Sequence, residues 1–250
     1  MNQDLVRYQE MERNCSIIYK EMTQKLVSHT NSKKFIPKGV AVTLLHDHPT
    51  WFQRRYTIMI QNILSNIPND WAIQIFHINN KQFQAGMAIN GGILKLIQLQ
   101  HSHRIVFTEL PSHVTNERKR PIHLMLHPWL WENMVSDNVF VFGGNHVVCS
   151  NSPYRLQDFL GYDYISAPWG RFKGVGGGSG ISLRNRKVML SLLENRLKRT
   201  PVEEREKAYL EWGRDDEFFV GEMIQWNKEK GQEIYRLPSK EVRFLYFCYF

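Results

Sequence analysis

The chain has 250 residues, of which 42% are hydrophobic, enough for one sizeable folded core. No apolar run approaches the roughly 20 residues that cross a bilayer. The charged N-terminus, MNQDLVRYQEMERNCSIIYK, lacks the apolar stretch of a secretory signal. Three widely spaced cysteines without a Cys-x-x-Cys pattern argue against a disulfide or zinc framework. We therefore expect a reduced, cytoplasmic protein.

The charge balance is strongly basic. Thirty-two Lys and Arg against 24 Asp and Glu leave a formal net charge of +8. Such a surplus favours polyanionic partners through phosphate contacts. One basic cluster alone is typical of a solvated surface, but together the clusters favour RNA. The residues we expect to contact RNA are Arg54, Arg55, Arg118, Lys119, Arg120, Arg184, Arg186 and Lys187.

The N-terminal region differs from the rest of the chain. Residues 1–29 place apolar side chains near one face of a helix, and the polar, basic segment 31–38 is typical of a linker. We predict an N-terminal helix and linker over residues 1–38, followed by one α/β domain over residues 39–250.

Within that domain, apolar runs alternate with segments of helical periodicity. Strands are predicted at Val40–Leu45, Trp71–Ile78, Arg104–Leu110 and Val139–Phe142. Helices are predicted at Trp51–Ser65, with Thr50 as its cap, and at Ile93–Gln100 and Ile122–Met134. The alternation predicts a mostly parallel sheet flanked by helices, which binds ligands beyond the carboxyl ends of its strands. Residues expected at that edge are His46, Asp47, His48, His77, Glu109, Asn145 and His146.

A glycine-rich segment, Gly174–Gly180, precedes a stretch with helical periodicity, Leu183–Leu193. Its backbone N–H groups can approach an anion or a tightly held substrate, with Ser179 beside them. It is not a Walker sequence, because no Gly-Lys-Ser/Thr follows. A tight turn that leads into a helix is the alternative interpretation.

Three further segments carry a family resemblance: Cys149–Pro153, Tyr162–Trp169 and Ser182–Arg186. They resemble a fungal family of uncharacterised, glycosyltransferase-like proteins of the GT-A type. The resemblance implies a GT-A-like, Rossmann-like fold. We expect substrate-binding positions at Asp163, Trp169, Gly176, Gly177, Gly178 and Ser179. Asn145 stands where the family carries an aspartate expected to hold a metal-bound sugar nucleotide. A neutral amide beside His146 is a poor site for a hard divalent cation.

An acidic cluster follows a polar segment predicted to be helical, Val202–Leu210. The resemblance implies that an acidic residue enters the cleft here as a general base or acceptor-binding group, with Asp216 and Glu217 as the candidates. The alternative is that Asp215, Asp216 and Glu217 cap a helix N-terminus. Asp163 has an alternative role as a buried structural carboxylate.

Together these features resemble a cytosolic fungal group of arginine-containing cyclodipeptide synthases. The resemblance implies condensation of arginine with a second amino acid into a cyclo-Arg-Xaa diketopiperazine. The partners would be arginyl-tRNA and a second charged tRNA, and no metal, cofactor or membrane is expected. Asp216, Glu217, Asn145 and His146 are the expected catalytic residues, and Asp215, Asp216 or Glu217 would pair with the substrate guanidinium.

Two other functions stay open at this stage. One is a nucleotide-sugar-dependent glycosyltransferase that lacks the usual metal-binding aspartate. The other is a degenerate fold that binds RNA or protein without catalysis.

Overall fold

The computed structural model describes residues 35–45, 49–78, 101, 103–115, 121–143, 146–167, 180–204, 212–239 and 241–243, with backbone only at 49–56 and 121–122. Within these residues the strands are β1 Gly39–Leu45, β2 Trp71–His77, β3 Ile105–Glu109, β4 Asn138–Phe142, β5 Tyr164–Ser166 and β6 Ile181–Asn185. These six strands form one mixed sheet in the order β3-β2-β1-β4-β6-β5.

The predicted α/β class with a mostly parallel sheet is confirmed. β1 pairs in parallel with β2 and β4, and β2 pairs in parallel with β3. β6 is antiparallel to both β4 and β5. Six of the seven residues of β1 and six of the seven residues of β2 are buried, because both faces of the sheet are covered. Their buried residues are apolar apart from Thr43 and Gln74.

Helices cover the two faces of the sheet. On one face, α1 (Pro49–Asn66) buries Met59, Ile60 and Ile63. The other face packs against α5 (Arg186–Arg199) and α6 (Asp215–Lys230), which bury Leu192 and Phe219 there. Between β3 and β4 lie three short helices, α2 (Ser112–Thr115), α3 (Pro121–Leu124) and α4 (Pro128–Glu132).

Two helix predictions need correction. Thr50 lies in the first turn of α1 and does not cap it. The single helix predicted over Ile122–Met134 is interrupted, because Pro128 cannot donate a backbone hydrogen bond in a helix interior. Instead Pro128 begins α4, and Nδ1 of His127 caps it by accepting from the backbone N–H of Trp129 at 3.1 Å.

The helical prediction for Leu183–Leu193 is wrong over its first residues. Ile181–Asn185 is β6, and the helix starts at Arg186. The Asn185 side chain caps it by accepting from the backbone N–H groups of Lys187 and Val188 at 3.1 and 3.4 Å. Two short 3-10 helices, Leu156–Phe159 and Val202–Glu204, complete the described elements.

Part of the predicted linker packs on the domain. Nζ of Lys38 lies 3.0 Å from Oδ2 of Asp70, and the ring of Phe35 contacts that of His103 at 5.2 Å. Residues 1–34, the predicted helix Ile93–Gln100 and most of Val202–Leu210 lie outside the described residues. Of the helices in the described ranges, none combines the length and hydropathy that a bilayer span needs.

Candidate functional site

The sheet reverses its strand order between β1 and β4. The chain adds β2 and β3 on one side of β1, and β4, β6 and β5 on the other. In open α/β sheets such a reversal opens a crevice beyond the carboxyl ends of the strands, where ligands bind. The site is therefore expected at the end of β1, Leu45, and the end of β4, Phe142.

The structure places two residues of the predicted edge next to each other. His77 ends β2 and is paired in register with Glu109, which ends β3. Burial lowers the pKa of His77 below 6.5, and the charge of Glu109 opposes this shift. His46, Asp47 and His48, which follow β1, lie outside the described residues.

His146 lies between two glycines at the carboxyl end of β4. The backbone N–H of Gly143 donates to the carbonyl of Gly180 at 2.9 Å, which joins β4 to the start of β6. A Cβ at Gly180 would stand 2.5 Å from Cε1 of His146, and one at Gly143 would stand 3.3 Å from Nδ1. The imidazole therefore occupies space that only glycine leaves open at position 180.

The chain after His146 is anchored to α1. The Val148 N–H donates to Oδ1 of Asn62 at 2.7 Å, and Nδ2 of Asn62 donates to the Val148 carbonyl at 3.1 Å. Nδ1 of His146 is buried and has no hydrogen-bond partner within the part of the chain described here. A neutral imidazole donates a hydrogen bond at one ring nitrogen and accepts one at the other.

The predicted acidic cluster forms the first turn of α6. Asp215 is fully buried, and its Oδ2 lies 2.7 Å from Nη2 of Arg184, which is also buried. The guanidinium of Arg184 also contacts the ring of Tyr164 at 4.9 Å, and its Nε donates to Oγ of Ser182 at 2.7 Å. Burial, which outweighs the nearby Arg184 charge, raises the pKa of Tyr164 to about 12.

Two sequence predictions are corrected by this ion pair. Arg184 cannot contact RNA from the surface, because its side chain is wholly enclosed. Asp215 cannot receive a substrate guanidinium, because a guanidinium of the protein already occupies that place. The charge of Arg184 gives no sign of this ion pair in the sequence. The alternation of apolar and polar residues over Ile181–Asn185 is typical of a strand, and this pattern could have indicated that Arg184 lies on a strand.

The neighbouring carboxylates differ in their access to solvent. Asp216 is fully buried and pairs with Arg214, whose Nε and Nη2 lie 3.2 and 3.3 Å from Oδ1 and Oδ2. Glu217 is only partly buried. Gly213 precedes them with φ of +74°, a left-handed conformation that favours glycine. Of the three adjacent acids, Glu217 is the one that can reach a substrate from solvent, and the structure does not support Asp216 as a solvent-accessible base.

Asp163 has the alternative, structural role. Its buried carboxylate accepts from the backbone N–H of Arg236 at 2.9 Å and from Nδ2 of Asn185 at 3.5 Å. The backbone of Asp163 also pairs with Arg236 and Asn185. Asp163 therefore fastens the start of β5 to the end of β6 and to the segment after α6, and its use for substrate binding is not supported.

The remaining predicted RNA contacts are only partly described. Arg186 and Lys187 both reach Asp137, at 2.8 Å each, so this pair of cations is partly neutralised. Hydrogen bonding by Lys187 contributes most to a lowered pKa of Asp137. Arg54 and Arg55 lie in α1, where only the backbone is described. The other predicted positions lie outside the described residues: Arg118, Lys119, Arg120, Asn145, Trp169, Gly176, Gly177, Gly178 and Ser179.

The described residues do not offer the ligands of a divalent cation. Among the described residues no three His, Cys, Asp or Glu side chains converge as metal ligands. Asn145, which lies outside the described residues, has a neutral amide side chain, and hard divalent cations prefer carboxylate oxygens.

Comparison with solved structures gives distant similarities. The glycosyltransferase GlyE of Streptococcus pneumoniae TIGR4 matches with 13% identity and a TM-score of 0.41, over 70% of this chain and 42% of that one. Mouse xyloside xylosyltransferase 1 matches with 10% identity and a TM-score of 0.46, over 81% and 85%. The galactosyltransferase LgtC matches with 12% identity and a TM-score of 0.39, over 73% and 69%. At these values the similarity assigns no activity.

No curated protein matches the sequence. One protein family does, over residues 104–246, which is more than half of the chain and runs from the turn before β3 to beyond α6. The matched region contains His146, Gly180, Arg184 and the acidic first turn of α6. The chain therefore belongs to the DUF5672 family, which is described as a protein family of unknown function.

Proposed function

We propose that this protein is a transferase that binds a nucleotide sugar at the carboxyl ends of β1 and β4. One observation supports the proposal. The imidazole of His146 packs against Gly143 and Gly180 at the carboxyl end of β4, where the strand order reverses. Nucleotides bind at this position in open α/β sheets. The glycine-rich segment that ends at Gly180 suits the approach of a diphosphate to backbone N–H groups.

The proposed roles follow from the surroundings of each residue. His146, which is only partly buried as a residue, would hydrogen-bond the donor or the leaving diphosphate through its imidazole. Glu217, partly exposed beside two enclosed carboxylates, would accept the proton of an acceptor hydroxyl. The ion pair of Arg184 and Asp215 would fix the first turn of α6, and with it the position of Glu217.

A donor-hydrolysis assay tests the proposal. The purified chain is incubated with separate nucleotide sugars of uridine, guanosine and cytidine, with and without manganese, and the released nucleotide is measured. We expect release from one donor, reduced by about 10²–10³-fold in His146→Ala, because loss of one hydrogen-bond donor to a developing negative charge costs about that factor in kcat. Release that is unchanged in His146→Ala and Glu217→Gln would remove both residues from the reaction.

A tRNA-dependent cyclodipeptide synthase is the second candidate. The basic surplus and the amide at position 145 favour it, because an aminoacyl ester is already activated and needs no metal. Since Asp215 is paired internally, Glu217 is the remaining carboxylate of the cluster that could meet a substrate guanidinium. Incubation with arginyl-tRNA and a second charged tRNA, followed by mass spectrometry, tests it. A ribonuclease-sensitive cyclic dipeptide without nucleotide-sugar turnover would replace the first proposal by the second.

A further inference from the structure

The segment that carries His146 lies outside the helices and strands. Residues 146–149, all of which the structure describes, follow β4 without regular secondary structure. Val148 in this segment is 2% exposed and packs in the core cluster that includes Ile60 and Ile63 of α1. A buried backbone N–H or carbonyl that pairs with no strand needs a hydrogen-bond partner elsewhere, because water does not reach it. The position of the segment therefore depends on a group from another element.

Asn62 of α1 is that partner, and it contacts both polar backbone groups of Val148. The Val148 N–H donates to Oδ1 at 2.7 Å, and Nδ2 donates to the Val148 carbonyl at 3.1 Å. Two hydrogen bonds to one residue fix its orientation as well as its position. The pairing uses both the acceptor and the donor of the carboxamide. Leucine, which has nearly the same shape as asparagine, would lose both bonds.

The helix that carries Asn62 is firmly packed on the sheet. Met59, Ile60 and Ile63, which lie within one turn of Asn62 on α1, are at most 2% exposed and belong to the same core cluster as Val148. A side chain on a packed helix holds a site more precisely than a side chain on a loop. Asn62 therefore gives the segment after β4 a rigid support.

This support acts close to the imidazole. A single residue, Val147, separates Val148 from His146, and its side chain is 54% exposed, so it adds little packing of its own. On the other side, the His146 N–H donates to the Gly143 carbonyl at 3.3 Å. Both bonds made by Asn62 are shorter than this one, and shorter hydrogen bonds in this range are the stronger ones. The Asn62 pair is therefore the firmer of the two attachments.

We propose that Asn62 is a positioning residue for His146. By fixing the backbone of Val148, its carboxamide keeps the imidazole against Gly180, where an added Cβ would stand 2.5 Å from Cε1 of His146. Asn62 acts through the backbone rather than by contact with the substrate. Its effect on turnover rests on the proposed function, whereas its effect on the imidazole does not.

Nuclear magnetic resonance of the imidazole C–H groups tests the proposal without any substrate. Because the chain has ten histidines, the His146 signal is assigned by its loss in His146→Ala. Asn62→Leu removes both bonds to Val148. Its matched control is Asn66→Leu, one turn later on α1 and also partly buried, where Nδ2 of the natural residue donates to the main-chain carbonyl of Asn62 at 2.8 Å. We expect the His146 signal to shift or broaden in Asn62→Leu and to keep its natural position in Asn66→Leu.

A purely structural role of Asn62 has a different signature. It would lower the midpoint of urea unfolding in Asn62→Leu and leave the His146 signal of the folded protein in place, and that result would overturn the proposal. Asn62→Ala, with Asn66→Ala as its control, is the second variant in case Asn62→Leu does not fold. Alanine leaves space for water at the polar groups of Val148, so the fold is disturbed less. We expect the same signal to move, and an unmoved signal would again overturn the proposal.

Kinetics of nucleotide release then connect the imidazole to the reaction. Because misplacement of a reacting group by about 1 Å can cost about 10²-fold, we expect kcat to fall by that order in Asn62→Leu and to stay within about twofold in Asn66→Leu. In the His146→Ala background, Asn62→Leu should cause no further loss, since both changes act through one imidazole. An equal loss with and without the imidazole would overturn the proposal. If the natural chain releases no nucleotide, the proposed function fails, and the His146 signal alone decides the role of Asn62.

Discussion

Nη2 of Arg184 and Oδ2 of Asp215 lie 2.7 Å apart, and neither side chain is exposed to solvent. The pair connects β6, which pairs with the strand that ends at the site, to the first turn of α6, which carries Glu217. Enclosed charges of this kind are costly to bury, and removal of one partner leaves the other without compensation. The pair therefore ties the stability of the domain to the position of its candidate base.

The first prediction concerns this ion pair. Asp215→Asn leaves the enclosed guanidinium of Arg184 without a counter-charge, so we expect the free energy of unfolding to fall by about 3–5 kcal/mol. Urea denaturation measures the change. The double variant Arg184→Met/Asp215→Leu removes both charges and should lose much less. The surface control Lys187→Gln should cost about 1 kcal/mol or less, and a similarly small loss in Asp215→Asn would contradict the account.

A second prediction tests the packing of His146. Gly180→Ala places a Cβ 2.5 Å from Cε1 of His146, so the imidazole must move. Because misplacement of a reacting group by about 1 Å can cost about 10²-fold, we expect nucleotide release to fall by that order. The matched control is Gly161→Ala, whose added Cβ meets no described residue within 4 Å beyond its two chain neighbours. Equal activity in the two alanine variants would show that the position of His146 is unimportant.

A third prediction concerns stability alone. Gly221 lies inside α6 and is exposed, and apart from its chain neighbours and the backbone of its own helix no atom of the described residues lies within 4 Å of the position that a Cβ would occupy. Gly221→Ala should raise the free energy of unfolding by about 0.5–1 kcal/mol, because alanine loses less backbone entropy in a helix. The midpoint of thermal or urea unfolding measures this. A lower midpoint would mean that the helix is packed more tightly at this position than the structure indicates.

The fourth prediction concerns pH. Burial lowers the pKa of His77 below 6.5, so in the pH range between the two values the unfolded chain binds more protons than the folded one. The stability contribution of His77 is present above pH 6.5 and is lost as the pH falls through the folded-state pKa. Urea denaturation at about pH 7.5 and about pH 5 should show a smaller acid-induced loss in His77→Gln than in the natural chain. Identical losses would argue against a shifted pKa.

Apolar runs in the sequence predict β1, β2, β3 and β4, and the structure has strands at all four places. The runs of β1, β2 and β4 are almost wholly apolar because both faces of these strands are covered, and only Thr43, Gln74 and His77 interrupt them. The last three residues of β6, Leu183–Asn185, fall within the predicted helix. Ser182 and Arg184 interrupt the apolar residues of this strand, and a true helix follows it directly. Those polar side chains face the interior only because Asp215, some thirty residues later, compensates the charge of Arg184.

The sequence indicates the location of the candidate site but not the pairing of its charged residues. A strand that ends at Gly143 and Gly144 indicated the location of His146, because glycines after a buried run allow close approach. The roles of the charged residues depended on pairings distant in sequence. Arg184, Arg186 and Lys187 form one basic cluster in the sequence, yet the first is enclosed and the other two share Asp137. The residues next to a cation in the sequence do not reveal which distant carboxylate pairs with it in the fold.

The central claim is that the carboxyl ends of β1 and β4 bind an activated donor. Isothermal titration calorimetry with nucleoside diphosphates tests this claim directly. The titration is carried out on the natural chain and on the variants Gly180→Ala and Gly161→Ala. We expect saturable binding of one nucleotide, at least tenfold weaker in Gly180→Ala and unchanged in Gly161→Ala. No binding of any nucleotide by the folded chain, or equal affinity in both alanine variants, would contradict it.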